Sequence, residues 1–339
     1  MAINQSSLNV LREQHDLDES AAYDLAVAFL NGNCQTSEIV DVLQLLQQKG
    51  ESVTEIIGFI RAMRDHMTPL SLSKHPLIDI CGTGGSLPNR FNVSTCVALV
   101  LGQLGYSVAK HGNRGSKKAN GSFDFLDAMG IPYDLSSAEH NARLEKFGAT
   151  FLFARLYHPA VRHVADARRQ LTSRSIFNLI GPFCNPASPT IQIIGTPSND
   201  LAQTLLAVGK KLDYSTFAVI TSDIGLDECS TVGKSTVYSI SNGDERTFTI
   251  DPKSYGIKHT LNDISVSETA LATDNAAAFK SILANNNTGH PLAKLIALNA
   301  AVIMHIIDHS IAIESGIEKA LDSLAQIEMD KHFPSHRPN

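Results

Sequence analysis

From residue 77 onward, short runs rich in β-branched and other apolar residues alternate with longer amphipathic stretches, and this alternation constrains the fold more than any other feature. Residues 77–81, 106–109, 150–153, 191–194 and 217–221 read as strands of four or five residues, with helical stretches between them. A strand that returns through a helix must pair in parallel, because the crossover carries the chain back along one face of the sheet. The pattern therefore predicts an α/β fold: a mostly parallel central sheet with helices on both faces. Residues 236–240 and 246–250, separated by Ser241-Asn242-Gly243-Asp244-Glu245, read instead as a hairpin.

The first seventy residues have a different period. Ala22, Leu25, Ala26, Phe29 and Leu30 form one apolar helical stripe ending at Gly32, and Ile39, Val42, Leu43 and Leu46 form a second ending at Gly50. A third helix opens on the capping box Ser52-x-x-Glu55 and carries Ile56, Phe59, Ile60 and Met63. The polar, proline-bounded segment 68–76 then leads into a second lobe, as a chain of 339 residues leads one to expect. The predicted layout is a small all-helical domain over 1–72, a larger α/β domain over 73–330 with a helical return near 157–185, and a disordered polar tail over 331–339.

Two strand-to-loop junctions carry the chemistry. The first runs from Asp79-Ile80-Cys81 into Gly82-Thr83-Gly84-Gly85 and on to Asn92-Val93-Ser94-Thr95 at the head of an apolar helix. Glycines without Cβ atoms let a ligand reach the backbone, and the free N–H groups and dipole of a helix start favour an anion. The second follows residues 106–109 with Lys110-His111-Gly112-Asn113-Arg114, and Lys117 and Lys118 lie just beyond. Neither junction matches G-x-x-x-x-G-K-[ST] or G-x-G-x-x-G. Together, one offers hydroxyls and amides and the other offers cations at the sheet end where α/β proteins bind ligands, so phosphate is the expected guest. The bland alternative is that Lys110 and Arg114 are solvated surface cations.

Other groups are less specific. Asp227-Glu228 can offer oxygens to Mg²⁺ or can simply be a solvated turn. Arg162, Arg168 and Arg169 share a helical stretch, and any of them can fork a carboxylate. His305 and His309 stand four apart on a helix without a third ligand, and no Ser-His-Asp or Cys-His set stands out. The net charge of −6 disfavours a nucleic-acid surface, and five cysteines without a C-x-x-C pair suit a reduced cytoplasmic protein. The amino terminus lacks the pattern of a signal peptide, and the apolar run 295–307, interrupted by Asn299 and His305, is too short to span a bilayer and reads as a buried helix.

Five motifs in order, Asp79 to Gly85, Phe91 to Thr95, Lys110 to Arg114, Ile176-Phe177-Asn178-Leu179-Ile180-Gly181-Pro182 with Asn185-Pro186, and Leu226-Asp227-Glu228, resemble those of the anthranilate phosphoribosyltransferase family over nearly the whole chain. The resemblance implies a homodimer formed through the helical side. It also implies transfer of the phosphoribosyl group from 5-phosphoribosyl 1-diphosphate to the amine of anthranilate, with Mg²⁺ as cofactor. By motif match, Gly82, Gly85, Asn92, Ser94, Thr95, Lys110 and Arg114 would hold the donor; Gly82, Asn113 and Arg168 would hold anthranilate; Ser94, Asp227 and Glu228 would hold the metal. Thr83, Ser86, Arg90, Val93, His111, Gly112, Lys118 and Ser122 complete the expected substrate-binding set, with Lys110 and Arg168 as the expected catalytic residues.

The chain departs from the family's usual pattern at Ser86, where an Asp is usual, at Arg90, where a Thr is usual, and at Lys117-Lys118, where a Ser pair is usual. These changes remove one negative charge and add three positive ones around the phosphates, which bears on the metal arrangement. Competing readings are a relative acting on another aromatic amine or on a nucleobase, and a non-catalytic relative that binds nucleic acid. Retention of Arg168 favours a carboxylate-bearing acceptor, and Asp227-Glu228 would repel a phosphate backbone.

Overall fold

The computed structural model describes residues 3–84, 91–115, 118–267 and 271–328. Gly85, Ser86, Arg90, Lys117 and the tail 331–339 lie outside the described residues. The chain opens with helices α1 (Gln5–Arg12), α2 (Glu19–Leu30), α3 (Thr36–Lys49) and α4 (Val53–Asp65). It continues through β1 (Ile78–Gly82), α5 (Val93–Gln103), β2 (Val108–Gly112), α6 (Ser122–Met129), α7 (Ser137–Phe147) and β3 (Ala149–Phe153). Short helices α8 (Ala154–Tyr157), α9 (Ala165–Gln170) and α10 (Ile176–Ile180) precede β4 (Ile191–Gly195), α11 (Asn199–Gly209) and β5 (Thr216–Ser222). Strands β6 (Ser235–Ser241) and β7 (Asp244–Ile250) and helices α12 (Ala272–Ala284), α13 (Pro291–Ile307) and α14 (Ile313–Ala325) complete it.

The helical lobe has one helix more than the periodicity predicts. α1 spans eight residues and buries a single apolar side chain, Leu11, which leaves too little pattern to read. The capping box at the head of α4 is present and does more than cap. Glu55 is fully buried and accepts from the backbone N–H of Leu17 (2.9 Å) and Ser52 (2.8 Å) and from Lys49 Nζ (2.8 Å), so one carboxylate ties three segments together. The return through α8–α10 packs on this lobe. Phe177 meets Phe59 edge-on at 5.9 Å, and Phe59 meets Phe29 at 6.2 Å. Burying an aromatic side chain of this size contributes about 1.5–3 kcal/mol.

The sheet has the order β3-β2-β1-β4-β5-β6-β7, with the first five strands parallel and β6 and β7 antiparallel. One face is covered by α5, α6 and α12–α14; the other packs on α11 and runs continuously into the core of the helical lobe. The hairpin is tighter than predicted. The strands extend inward to a two-residue turn, Asn242-Gly243, with φ of +49° and +89°, the geometry that an Asn-Gly pair favours. β2 also runs further than predicted, through Lys110-His111-Gly112 in register with Phe151, Leu152 and Phe153, so Lys110 and His111 are strand residues and not loop residues. The run 295–307 falls within α13, which is buried along nearly its whole length. Beside the sheet, His140 sits between Thr150 Oγ1 (2.7 Å) and Tyr157 OH (3.0 Å), and burial pulls its pKa down to about 4.

Candidate active site

Strand order reverses at β1. From there the chain builds outward through β2 and β3 on one side and through β4 and β5 on the other, and such a switch point leaves a crevice beyond the carboxyl ends of the strands. Both strands end on glycine there, Gly82 in register with Gly195, and Thr83 N–H donates to Gly195 O at 2.9 Å. The loop after β5 crosses directly above them. A Cβ on Gly82 would collide with the Asp227 carboxylate, and one on Gly195 with the Asp227 carbonyl oxygen. The missing methyl groups are what allow the acidic pair to lie at the mouth of a cavity of about 670 Å³.

Beneath the cavity lie two buried groups of opposite charge. Lys110 is 2% exposed and Asp79 is fully buried, which overturns the alternative of a solvated Lys110. Lys110 Nζ donates to the Ile80 carbonyl and has Asp79 and Asp227 as acidic neighbours. Asp79 accepts from the His111 backbone N–H at 3.0 Å and from the side chains of Asn185 and Gln192. Burial pushes the Asp79 carboxyl up and the Lys110 ammonium down, and the attraction between them opposes both shifts. Sequence polarity at 110–111 suggests a loop; the strand continues because the Lys110 ammonium and the His111 backbone N–H find buried partners on β1.

One wall is the first turn of α5. Asn92 stands at the N-cap position without a side-chain cap bond, its carbonyl accepts from the Thr95 N–H at 3.2 Å, and the N–H groups of Val93 and Ser94 lie at the helix's open end. Thr95 Oγ1 is buried and has no partner among the described residues. The facing wall is the loop after β2, drawn tight by Asp124, whose Oδ2 accepts from Gly115 N–H and Gly121 N–H, each at 2.8 Å. Gly112, Asn113, Lys118 and Ser122 also face the cavity. Arg114 lines it too, but its guanidinium is engaged by Asp127 (2.7 Å) and the Tyr133 hydroxyl (2.8 Å), with Asp124 at 3.5 Å. Asn275 of α12, fully buried, donates to Asn92 Oδ1 (2.8 Å) and Asn120 Oδ1 (2.9 Å) and so joins the two walls.

A second cavity of about 880 Å³ continues from the first, sharing Gly82, Thr83, His111, Asn113, Arg168 and Asn178 and otherwise walled largely by residues 154–184. The three arginines separate here. Arg169 pairs with Asp166 and Arg162 bonds to His163, whereas Arg168 lies over the Phe177 ring at 5.5 Å with no carboxylate partner among the described residues. Burial lowers the Arg168 pKa without removing its charge. His111 and His158 stand with ring centroids 5.2 Å apart. Burial, reinforced by His158 and by Lys110, pulls His111 down to about 3, and burial pulls His158 down to about 4, so both are neutral at pH 7.

Thus every sequence-predicted site residue that is described, Asp227, Glu228 and Ser94 included, lines one or both cavities. His305 and His309 lie elsewhere, with rings 5.1 Å apart and His305 Nδ1 bonded to the Ile311 carbonyl. Gly195, Asp79, Asn178, His158, Asn275 and Asn299 belong to the site or its support and were not singled out as such from sequence. A strand-ending glycine at 195, in step with Gly82, was the one signal that pairing of β1 with β4 would have exposed.

Two family models cover nearly all of the chain: a glycosyl transferase family helical bundle domain matches residues 5–67, and a glycosyl transferase family a/b domain matches residues 74–326. Anthranilate phosphoribosyltransferase of Geobacillus stearothermophilus is 36% identical over 318 residues, 94% of this chain and 92% of its own length. The crystal structure of anthranilate phosphoribosyltransferase from Thermus thermophilus matches with a TM-score of 0.83 at 30% identity, covering 94% of each chain. The Saccharomyces cerevisiae enzyme, solved in complex with PRPP and Mg, shares the fold with a TM-score of 0.85 at 24% identity, covering 98% of each chain. With both lobes matched and the likeness continuous along the sequence, the chain belongs to the anthranilate phosphoribosyltransferase family.

Proposed function

We propose that this chain transfers the 5-phosphoribosyl group of 5-phosphoribosyl 1-diphosphate to the amine of anthranilate, releasing diphosphate. One observation carries the reading beyond family membership. Two cavities meet at Gly82, one walled by a helix start above a buried lysine and the other holding a half-buried arginine without a carboxylate partner among the described residues. The first suits a phosphorylated sugar and the second an aromatic carboxylate, whose ring and charge would meet Phe177 and Arg168.

The donor's phosphates sit at the head of α5 against Asn92, Ser94 and Thr95, where backbone N–H groups and the helix dipole stabilise anions. The oxygens of Ser94, Asp227 and Glu228 are a hard donor set, and Mg²⁺ is commonly held by one or two carboxylates together with phosphate oxygens. Among the described residues no three His, Cys, Asp or Glu side chains cluster as a closed metal site, in keeping with an ion that also needs the donor's phosphates. When bound, that ion supplies charge neutralisation at the leaving diphosphate.

In the reaction the bond from C1 to diphosphate breaks as the bond from C1 to nitrogen forms, the ribosyl centre passes through an oxocarbenium-like state, and the nitrogen gives up one proton to the departing diphosphate or to water. Lys110, fixed beneath the cavity, meets charge as it develops on the leaving group. Arg168 forks the anthranilate carboxylate and Asn113 borders the amine, which is unprotonated at neutral pH and needs positioning more than a base. His111 interacts with the Gly181 backbone, and its Nε2 has no partner among the described residues; as a neutral imidazole it can accept a hydrogen bond from the amine. Arg114 acts through the loop it braces on α6.

The reading carries with it a homodimer formed through the helical lobe and a cytoplasmic location. The five free cysteines support the second, and among the described residues no helix is long and apolar enough to cross a membrane. Light scattering of the purified protein tests the first. For the reaction, loss of anthranilate fluorescence that requires both donor and Mg²⁺ is the expected result. No loss under any metal condition, or faster consumption of a nucleobase than of anthranilate, would overturn the assignment.

A further inference from the structure

Along α13 every residue from Leu295 to Met304 is apolar and buried except Asn299, itself only 5% exposed. An asparagine in a helix interior is a poor choice by propensity and leaves an amide to satisfy. Its amide is fully used. Nδ2 donates to the Cys229 carbonyl (2.8 Å) and to Leu295 O one turn back (2.9 Å), while Oδ1 accepts from the Cys229 N–H (2.8 Å). Both backbone groups of Cys229 are therefore held by one side chain, in the two-point manner of a strand partner. Cys229 directly follows Asp227-Glu228. On the other side of the pair, Ser222 Oγ receives the Leu226 N–H at 2.8 Å and donates to the Leu226 carbonyl at 3.2 Å, and the Asp227 backbone rests on the glycine saddle at Gly195.

We propose that Asn299 is a positioning residue: it anchors the chain immediately after the acidic pair and so fixes Asp227 and Glu228 at the cavity before any ligand arrives. Because its two amide protons are committed to backbone carbonyls, its effect on ligands is exerted through Cys229. The proposal rests on the reading that the acidic pair holds the divalent ion against the donor's phosphates. It assigns α13, a helix otherwise concerned only with packing, a share in the affinity of the site for metal and diphosphate.

The test uses the full chain and two measurements. In the ligand-free wild-type protein, amide hydrogen exchange of a peptide spanning 226–230 should already be slow and should change less than twofold on adding Mg²⁺ with diphosphate. Fast exchange there that becomes protected only with those ligands would overturn the proposal, and this arm needs no variant to fold. Asn299→Leu and Asn299→Asp should weaken Mn²⁺ binding in the presence of diphosphate, read by electron paramagnetic resonance, by about tenfold. They should raise the half-saturating Mg²⁺ concentration in turnover by a similar factor and leave the KM for anthranilate within twofold. Equal loss at both substrates, or unaltered Mn²⁺ binding, would make Asn299 a packing residue only. If the wild-type protein binds Mn²⁺ and diphosphate as expected yet consumes no anthranilate, the acceptor assignment fails while the role of Asn299 stands.

Discussion

Replacing Lys110 by methionine keeps the length of the side chain and deletes its charge, leaving Asp79 fully buried with only neutral donors from His111, Asn185 and Gln192. Removing one partner of a buried pair strands the other, at a cost of about 3–5 kcal/mol, a large share of the roughly 5–15 kcal/mol that holds a typical domain together. The cost should depend on pH with a definite sign. Burial already raises the Asp79 carboxyl, and losing Lys110 raises it further. A group whose folded pKa lies above its unfolded value loses stability as pH rises through the interval between them, so the gap between Lys110→Met and wild type should be wider at pH 7.5 than at pH 5. Urea midpoints read by circular dichroism measure this directly. The double variant Asp79→Asn with Lys110→Met replaces both buried charges by neutral groups of similar size and should recover most of the lost stability. It should not recover turnover, because the cation at the leaving group is still missing. A Lys110→Met variant within about 1 kcal/mol of wild type at pH 7.5, or a double variant no more stable than the single one, would refute the reasoning.

Arg168→Ala should raise the KM for anthranilate by about 10- to 100-fold, the loss of a charge-assisted fork of roughly 1.5–3 kcal/mol, with the donor KM changed far less; equal damage to both in steady-state kinetics would mean the residue is structural. Gly195→Ala should push the Asp227 carbonyl off the strand ends and lower kcat/KM by about 100-fold, since ångström-scale misplacement of a catalytic group commonly has that effect; a variant within twofold of wild type would show that the loop tolerates displacement. Folded pKa values of about 3 for His111 and about 4 for His140 and His158 lie below the ordinary value, so the unfolded chain binds more protons over that interval. Each histidine should therefore remove stability as pH falls from about 6.5 toward 4, by up to about 1.4 kcal/mol per pH unit. Urea midpoints at intervals from pH 7 to pH 4.5 should reveal this loss, and His140→Gln should lessen it; slopes identical for the two proteins would contradict the assigned burial.

The period of the apolar residues made the architecture legible, because a parallel sheet between helices leaves continuous apolar strands that stand out from amphipathic helices. It failed at the carboxyl end of β2, where Lys110 and His111 are polar and yet lie in the ladder: composition registers polarity, and the partner that satisfies it comes from β1. The motifs at 82–85, 92–95 and 110–114 marked the first cavity because glycines, hydroxyls and cations clustered within short windows. Asn299 was visible as an interruption in an apolar run, but its purpose was not, since Cys229 lies on a separate loop that only the fold brings to α13. Gly195 was silent for the same reason, its role being to admit a carbonyl from a residue far along the chain. The departures at Ser86, Arg90 and Lys117 lie outside the described residues and stand as sequence observations.

The second cavity borrows Met63 from α4 and a few residues from the ends of β1 and β2, but the rest of its wall is one uninterrupted length of chain from Ala154 to Cys184, anchored on the helical lobe. The first cavity, where we place the donor, is assembled from separate strand ends and a helix start, and no single exchange of sequence would replace it. For an engineer the asymmetry is useful: grafting the 154–184 segment from a relative, or diversifying it in a library, changes the environment of the incoming nucleophile while the sugar-handling half of the catalyst stays as it is. New acceptors should therefore be reachable by substitution within that cassette, with Arg168 as the position whose charge is chosen first.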